Sequence, residues 1–241
     1  MHLPRRVEPE MLDHLPETDL RAIRSRLDLR RINRFMAAQS ILCRAIDAAT
    51  RGKPPHQIVE LGAGDGTLLL RIAHQRAAQW PGVEVVMVDR KGLVASNTRQ
   101  AFARLGWKLR VVTVDVFEWL DETPRVPHDL LLANLFLHHF ASDDLARLLA
   151  GIAARTSAFV ACEPRRAATA LVGSHLVGLL GCNAVSRNDA VLSVHAGFRD
   201  AELTAIWPKT GSWQIDEYTA GLFTHCFRAT RGGVQQEKET K

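Results

Sequence analysis

The sequence is short of aromatic side chains, has no paired cysteines and contains no long apolar run. Of 241 residues only 6% are aromatic, and tyrosine occurs once, at Tyr218. The four cysteines, Cys43, Cys162, Cys182 and Cys226, stand alone. With no CxxC pair and no Cys/His spacing, neither a zinc site nor a dithiol redox motif is expected; the cysteines read as buried thiols in a reducing cytosol, with no metal. The opening MHLPRRVEPEML lacks the apolar stretch of a secretory signal. Ala167–Gly181 is too short and too polar to span a bilayer. A cytoplasmic protein without a membrane span is expected, either monomer or homodimer.

The charge is mildly one-sided, 31 Lys and Arg against 26 Asp and Glu, a net +5. Much of the excess lies in Arg21, Arg24, Arg26, Arg30, Arg31 and Arg34. These alternate with Leu20, Ile23, Leu27, Ile32, Phe35 and Met36, the pattern of the solvated side of amphipathic helices rather than of a nucleic-acid groove.

The remaining composition, 46% hydrophobic and 24% charged, is that of one α/β domain with an N-terminal addition. About Glu17–Thr50 reads as two helices, loosening near Asp28. Arg51-Gly52-Lys53-Pro54-Pro55 ends them, because proline neither donates a backbone bond nor tolerates helix before it. The organisation expected is a helical cap over 1–55, a core over 56–231 and a disordered polar tail over 232–241.

From Gln57 the chain alternates. IVELG, VEVVMVD, LRVVTVD, DLLLANLF and SAFVACE are apolar runs nearly continuous in Val, Leu and Ile, as strands buried on both faces must be. Between them lie Thr67–Gln79, Leu93–Leu105, Phe117–Leu120 and Ser142–Arg155. In the last, Leu145, Leu148, Leu149 and Ile152 mark one helix face, Ser142 suits the cap, and Asp143 and Asp144 suit the positive end of the dipole. Trp213–Tyr218 and Leu222–Thr230, around Gly221, read as an antiparallel hairpin. The fold class is α/β, a doubly wound, mostly parallel seven-stranded Rossmann-like sheet with that hairpin at its end.

Ile58-Val59-Glu60-Leu61-Gly62-Ala63-Gly64-Asp65-Gly66-Thr67 carries the most chemistry. A strand runs into a glycine-rich turn and then a helix, which lets a ligand approach the main chain where a Cβ would collide. The spacing is GxGxG, not the GxGxxG of dinucleotide sites, and Glu60 stands where a carboxylate can meet a cationic amino group. This stretch resembles the first motif of the class I S-adenosylmethionine-dependent methyltransferases. The resemblance implies further strand-end residues, which follow in order. Asp89 is suited to the ribose hydroxyls, with Arg90 after it. Asp115 and Val116 belong beside the adenine, and Asn134 and Leu135 beside the methionine part. Gly62, Ala63, Gly64, Asp65 and Thr67 complete the implied cofactor set. The likeness extends over about Gln57–Arg231.

His138 and His139 follow the fourth strand at the mouth of that site. One reading has an imidazole orient or deprotonate an acceptor hydroxyl; the other has LHHF simply turn the chain into the next helix. Arg187 to Val194, with Ala196-Gly197-Phe198, is similar to a segment of bacterial methyltransferases of the ubiquinone-biosynthesis type and of those acting on polyketide-derived phenols. There it covers the acceptor pocket with the N-terminal helices. Arg187 and Asp189 are then pocket groups or a structural ion pair. Cys162-Glu163-Pro164-Arg165-Arg166 departs from those relatives, and Glu163 either faces the pocket or pairs with Arg165.

Asn134-Leu135-Phe136-Leu137 lacks the proline and aromatic of adenine-N6 and glutamine methyltransferases, and Cys162 lacks the neighbours of a base-C5 nucleophile. A small-molecule acceptor is expected, phenolic or another hydroxyl or carbon acceptor. An RNA methyltransferase is the second reading and a non-catalytic cofactor-binding protein the third.

Overall fold

The computed structural model describes residues 3–124 and 126–232. Of the tail expected to be disordered, everything from residue 233 lies outside the described residues. The chain runs α1 (Met11–His14), α2 (Leu20–Phe35), α3 (Ala38–Thr50), β1 (Gln57–Leu61), α4 (Thr67–Arg76), β2 (Glu84–Asp89), α5 (Ser96–Arg104) and β3 (Lys108–Thr113). It continues with α6 (Val116–Glu122), β4 (Leu130–Asn134), a 3-10 turn at Leu137–His139, α7 (Ser142–Ala153), β5 (Ala158–Pro164) and α8 (Ala168–Leu176). A second 3-10 turn at Val177–Leu180, α9 (Ala184–Ala196), α10 (Glu202–Ile206), β6 (Trp213–Ala220) and β7 (Thr224–Arg231) complete it.

The seven strands form one sheet in the order β3-β2-β1-β4-β5-β7-β6. β1 to β5 are parallel, and β7 is antiparallel to both β5 and β6. Alternate strand residues feed two cores, because successive side chains point to opposite faces. Ile58, Val85, Met87, Leu130, Leu132 and Val160 pack with α3, α4 and α5. Val59, Leu61, Val86, Val88, Leu131 and Phe159 pack with α6, α7 and α10. Crossovers leave β1 toward one edge and β4 toward the other, so a crevice opens at their carboxyl ends, the place where open α/β sheets take ligands.

Some local expectations change. α2 is continuous through Asp28; the break falls at Ala37, in the left-handed region with φ 55°. Asp28 looks like a helix-loosening acid but is buried. Its carboxylate accepts from Asn183 N at 2.8 Å and Ser186 Oγ at 3.0 Å, clasping α2 to the start of α9. Ser142 opens α7 without capping it: Ala141 holds the cap position, and no side chain bonds the first turn. Of the first 55 residues, α3 lies in the core, sharing a cluster with Ile58 and Leu132. No helix of the described residues is long and apolar enough to cross a membrane.

The junction after α9 is tight. A Cβ on Gly197 would lie 2.2 Å from the Pro164 carbonyl oxygen at the end of β5. Room, not conformation, demands glycine, since its φ is an ordinary −63°. Gly197→Ala is expected to destabilise the protein by about 1–3 kcal/mol, the usual range for overpacking. A thermal melt matching the wild type would show that α9 can slide away from β5.

Candidate active site

A cavity of about 620 Å³ fills the crevice. All twelve residues that the resemblance placed beside a cofactor line it, from Glu60 at β1 to Leu135 after β4, and so do His138 and His139. The glycine turn enters it along β2: Gly62 N and Ala63 N donate to the Val88 carbonyl at 2.9 and 3.2 Å. At Gly62, φ is 65° and an added Cβ would fall 2.2 Å from the Phe136 ring, so only glycine fits. Gly64 has φ 56° and no protein atom within 4 Å of such a Cβ. The space beside it belongs to the cavity, where the sequence led us to expect a ligand.

The strand-end acids are set by main-chain bonds. Asp89 accepts from Gly64 N and Lys91 N, both at 2.8 Å, and Asp115 caps α6 through Phe117 N at 2.8 Å. Asp65 accepts from Thr67 N at 2.9 Å and pairs with Arg30 at 2.8 Å. Glu60 is buried, and its Oε2 has no partner among the described residues. Burial first, then the charges of Asp65 and Asp89, pushes its pKa up to about 8.

The N-terminal segment closes the cavity, which the sequence alone did not reveal. Arg90 pairs with Asp13 at 2.6 Å, and Lys91 Nζ donates to the Leu12 carbonyl at 3.1 Å. Asp189 and Arg187 form no pair among the described contacts. Instead the Asp189 carboxylate accepts from Met11 N and Leu12 N, both at 2.9 Å, at the start of α1. Arg5 lies over the Phe198 ring and donates to the Ala196 carbonyl at 2.8 Å.

These contacts carry Glu10 to His138, 128 residues away in sequence. His138 donates from Nδ1 to Glu163 at 2.8 Å and from Nε2 to Glu10 at 3.4 Å. Glu163 is fully buried and faces this site rather than Arg165. It also accepts from Phe136 N at 3.0 Å and Leu137 N at 2.9 Å, fixing the 3-10 turn. Burial opposes a charge on His138, but the hydrogen bonds and charges of Glu10 and Glu163 win and raise its pKa to about 9. Burial likewise opposes the Glu10 charge, and the His138 bond outweighs it, holding that carboxyl below its ordinary range. His139 goes the other way, lowered by burial and then by the charge of His138. Two adjacent imidazoles thus hold different protonation states at neutral pH. Glu10, His138 and His139 bring ligand atoms within 4.8 Å of one another. Both His138 nitrogens face carboxylates.

Residues 58–157 match the family model described as a methyltransferase domain. Over those residues the chain is similar to methyltransferase domains. Its fold is shared with the plantazolicin methyltransferase BamL in complex with a triazolic desmethylPZN analog and SAH, at TM-score 0.64 and 9% identity over 92% of this chain and 93% of that one. BpumL, a second plantazolicin methyltransferase in complex with SAH, superposes at 0.62 with 12% identity, covering 89% of this chain and 92% of its own. Magnesium protoporphyrin IX methyltransferase ChlM of Synechocystis PCC 6803, with bound SAH, gives 0.51 and 13% over 92% and 91%. No curated protein sequence matches the chain. The chain therefore has the Rossmann-like architecture expected from its sequence, with the cavity in the crevice at the ends of β1 and β4.

The clamp on His138 has a pH dependence whose sign follows from its direction. Its folded pKa lies near 9, above the ordinary 6.5. Its stabilisation is therefore complete below pH 6.5 and disappears as pH rises through 9. Glu163→Gln should lower the His138 titration, read from imidazole proton shifts, and flatten the stability loss between those limits. An unmoved titration would show that Glu163 does not hold the proton.

Proposed function

We propose that this protein transfers the methyl group of S-adenosylmethionine to a hydroxyl on a small acceptor with a large apolar body, such as a substituted phenol. The observation that supports the acceptor is a second cavity of about 380 Å³, lined mainly by apolar side chains including Ile32, Met36, Val177, Leu180 and Val194. It meets the cofactor cavity at Glu10, Leu12, Leu29, Leu135 and Ser193. At that junction a polar head would lie among Glu10, Ser193 and His139, while its apolar body lies in the second cavity. Both volumes fall in the range of about 300–1,000 Å³ usual for small-ligand sites.

The cofactor cavity suits a cationic ligand without phosphate. The unpartnered Glu60 Oε2 would receive the ammonium, Asp89 the ribose hydroxyls, and Asp115 and Val116 the adenine, with Asn134 beside the methionine chain. The cofactor supplies an electrophilic methyl group, so the chain's task is alignment, water exclusion and removal of one proton. Glu10 and the neutral His139 are placed to take that proton. His138, held as a cation, positions Glu10. Leu135, in the left-handed region with φ 52°, lines both cavities. A strained non-glycine residue of this kind costs about 1–3 kcal/mol and persists where function holds it.

The RNA reading has less support, because three of the six clustered arginines are paired within the protein: Arg21 with Asp19, Arg30 with Asp65, and Arg31 with Asp28.

Calorimetry with S-adenosylmethionine tests the cofactor reading. Because the Glu60 pKa is raised to about 8, binding of an ammonium should release a proton and strengthen as pH rises toward 8. Glu60→Gln should remove that release, and no binding at any pH would refute the reading. Labelled methyl transfer to 4-alkylphenols of increasing chain length tests the acceptor. Affinity should rise about fourfold per methylene until the cavity is full, from about 0.8 kcal/mol for each CH₂ buried. Glu10→Gln or His139→Gln should cut turnover by about 10²–10⁴ with cofactor affinity unchanged. If neither loses more than a few-fold, the proton is handled elsewhere.

A further inference from the structure

The outer end of the apolar cavity has an unusual surface. Val172, Leu176 and Leu179 fall at i, i+4 and i+7 along α8 and the following 3-10 turn, and all three face outward, Leu179 being 83% exposed. Phe35, at the end of α2, is 64% exposed. Its ring lies 6.2 Å from that of Phe223, beside the exposed Leu222. Phe35, Leu176, Leu179 and Phe223 also line the cavity, so these side chains are its rim. A rim that only had to retain a ligand would turn polar atoms to water. This one turns leucines and a phenylalanine outward.

The charge around the rim is equally one-sided. Residues 164–188, which form α8, the 3-10 turn and the first turns of α9, contain no Asp or Glu. Residues 29–46, which form the end of α2 and most of α3, contain none either. At the chain's average of 26 acids in 241 residues, stretches of this combined length would carry about four or five. Arg31, Arg34, His175 and Arg187 are exposed in the same two stretches. Arg31, paired with Asp28, reaches the Gly181 carbonyl at 3.5 Å, and the Arg187 chain lies against Gly178, so Arg187 is the cation that stands directly beside the rim.

We propose that this rim is a docking face for an anionic lipid bilayer. The α8 stripe would lie along the interface with its leucines among the acyl chains and the arginines at the headgroups, and the cavity would open onto the membrane. A short surface helix with apolar residues on one side and cations beside it has the composition of an interfacial element. A second copy of this chain is a poorer occupant, since a symmetric contact would set arginines against arginines. The consequence for substrate rests on the acceptor reading above: an amphiphile dissolved in the bilayer enters hydroxyl-first through the rim, brings its hydroxyl to Glu10 and leaves its tail in the apolar cavity.

The test uses the full chain and sedimentation with sucrose-loaded vesicles, one set of phosphatidylcholine and one with about a third phosphatidylglycerol. Binding should favour the anionic vesicles by about tenfold or more at 0.1 M salt and weaken steeply at high salt. Leu176→Glu with Leu179→Glu should abolish it, and Arg34→Glu with Arg187→Glu should reduce it about tenfold or more. These side chains are exposed, so melting temperature and SAH affinity should stay unchanged. Absence of vesicle binding, or binding indifferent to the leucine variants, would overturn the proposal. So would a stable dimer in solution that those variants dissociate. Vesicle binding by a protein that binds no SAH would instead refute the methyltransfer reading and leave the docking face standing.

Discussion

A buried imidazolium between two carboxylates holds the site together. His138 lies on a 3-10 turn that Glu163 fixes through the Phe136 and Leu137 amides, and its far nitrogen meets Glu10 from the N-terminal segment. Either carboxylate buried without a partner would be costly, and so would the cation alone; together they exclude water and fix one another's geometry. Glu10 thereby reaches the junction of the two cavities. Asp189 anchors the same segment through two backbone amides, and Arg90, Lys91 and Arg5 fasten its flanks. The cavity roof is therefore built from residues 5–13, far in sequence from the glycine turn that forms its floor.

Charge is distributed unevenly across this enclosure. On the floor, Glu60, Asp65, Asp89 and Asp115 face the cavity, and Glu60 Oε2 has no hydrogen-bond partner among the described residues. On the roof, the two negative charges beside His138 are countered by one positive charge. The second chamber is walled mainly by apolar side chains, with Glu10 and Asp189 among its lining, and cations lie beside its outer rim. A molecule with an ionisable head and an apolar body meets these zones in an order that matches its own structure.

The sheet was legible in the sequence because buried parallel strands are nearly uninterrupted apolar runs, and because the glycine turn with Glu60, Asp89 and Asp115 makes local demands that local sequence can meet. The same locality explains the cavity floor, where every residue singled out for the cofactor is found. Asp28 misled because an acid within a helix looks like a breaker; only the fold supplies Asn183 and Ser186 as its partners. Glu10, Ser193 and Asp13 carry no signal in a single sequence. VEPEML is an unremarkable polar start, and its importance comes from contacts spanning more than a hundred residues. The two histidines were visible as a pair, but their difference in charge depends on which one faces Glu163, a matter of side-chain direction.

Hydrogen exchange at the Met11 and Leu12 amides reads the closure of the roof directly, since both donate to Asp189 beside the Glu10 anchor. The account predicts slow exchange in the wild type at pH 7. It further predicts acceleration by about tenfold or more in Glu163→Gln, where His138 loses one of the two carboxylates that keep it charged, although Asp189 itself is untouched. Exchange at these two amides that is equally slow in both proteins would contradict the claim that the buried imidazolium holds the site together.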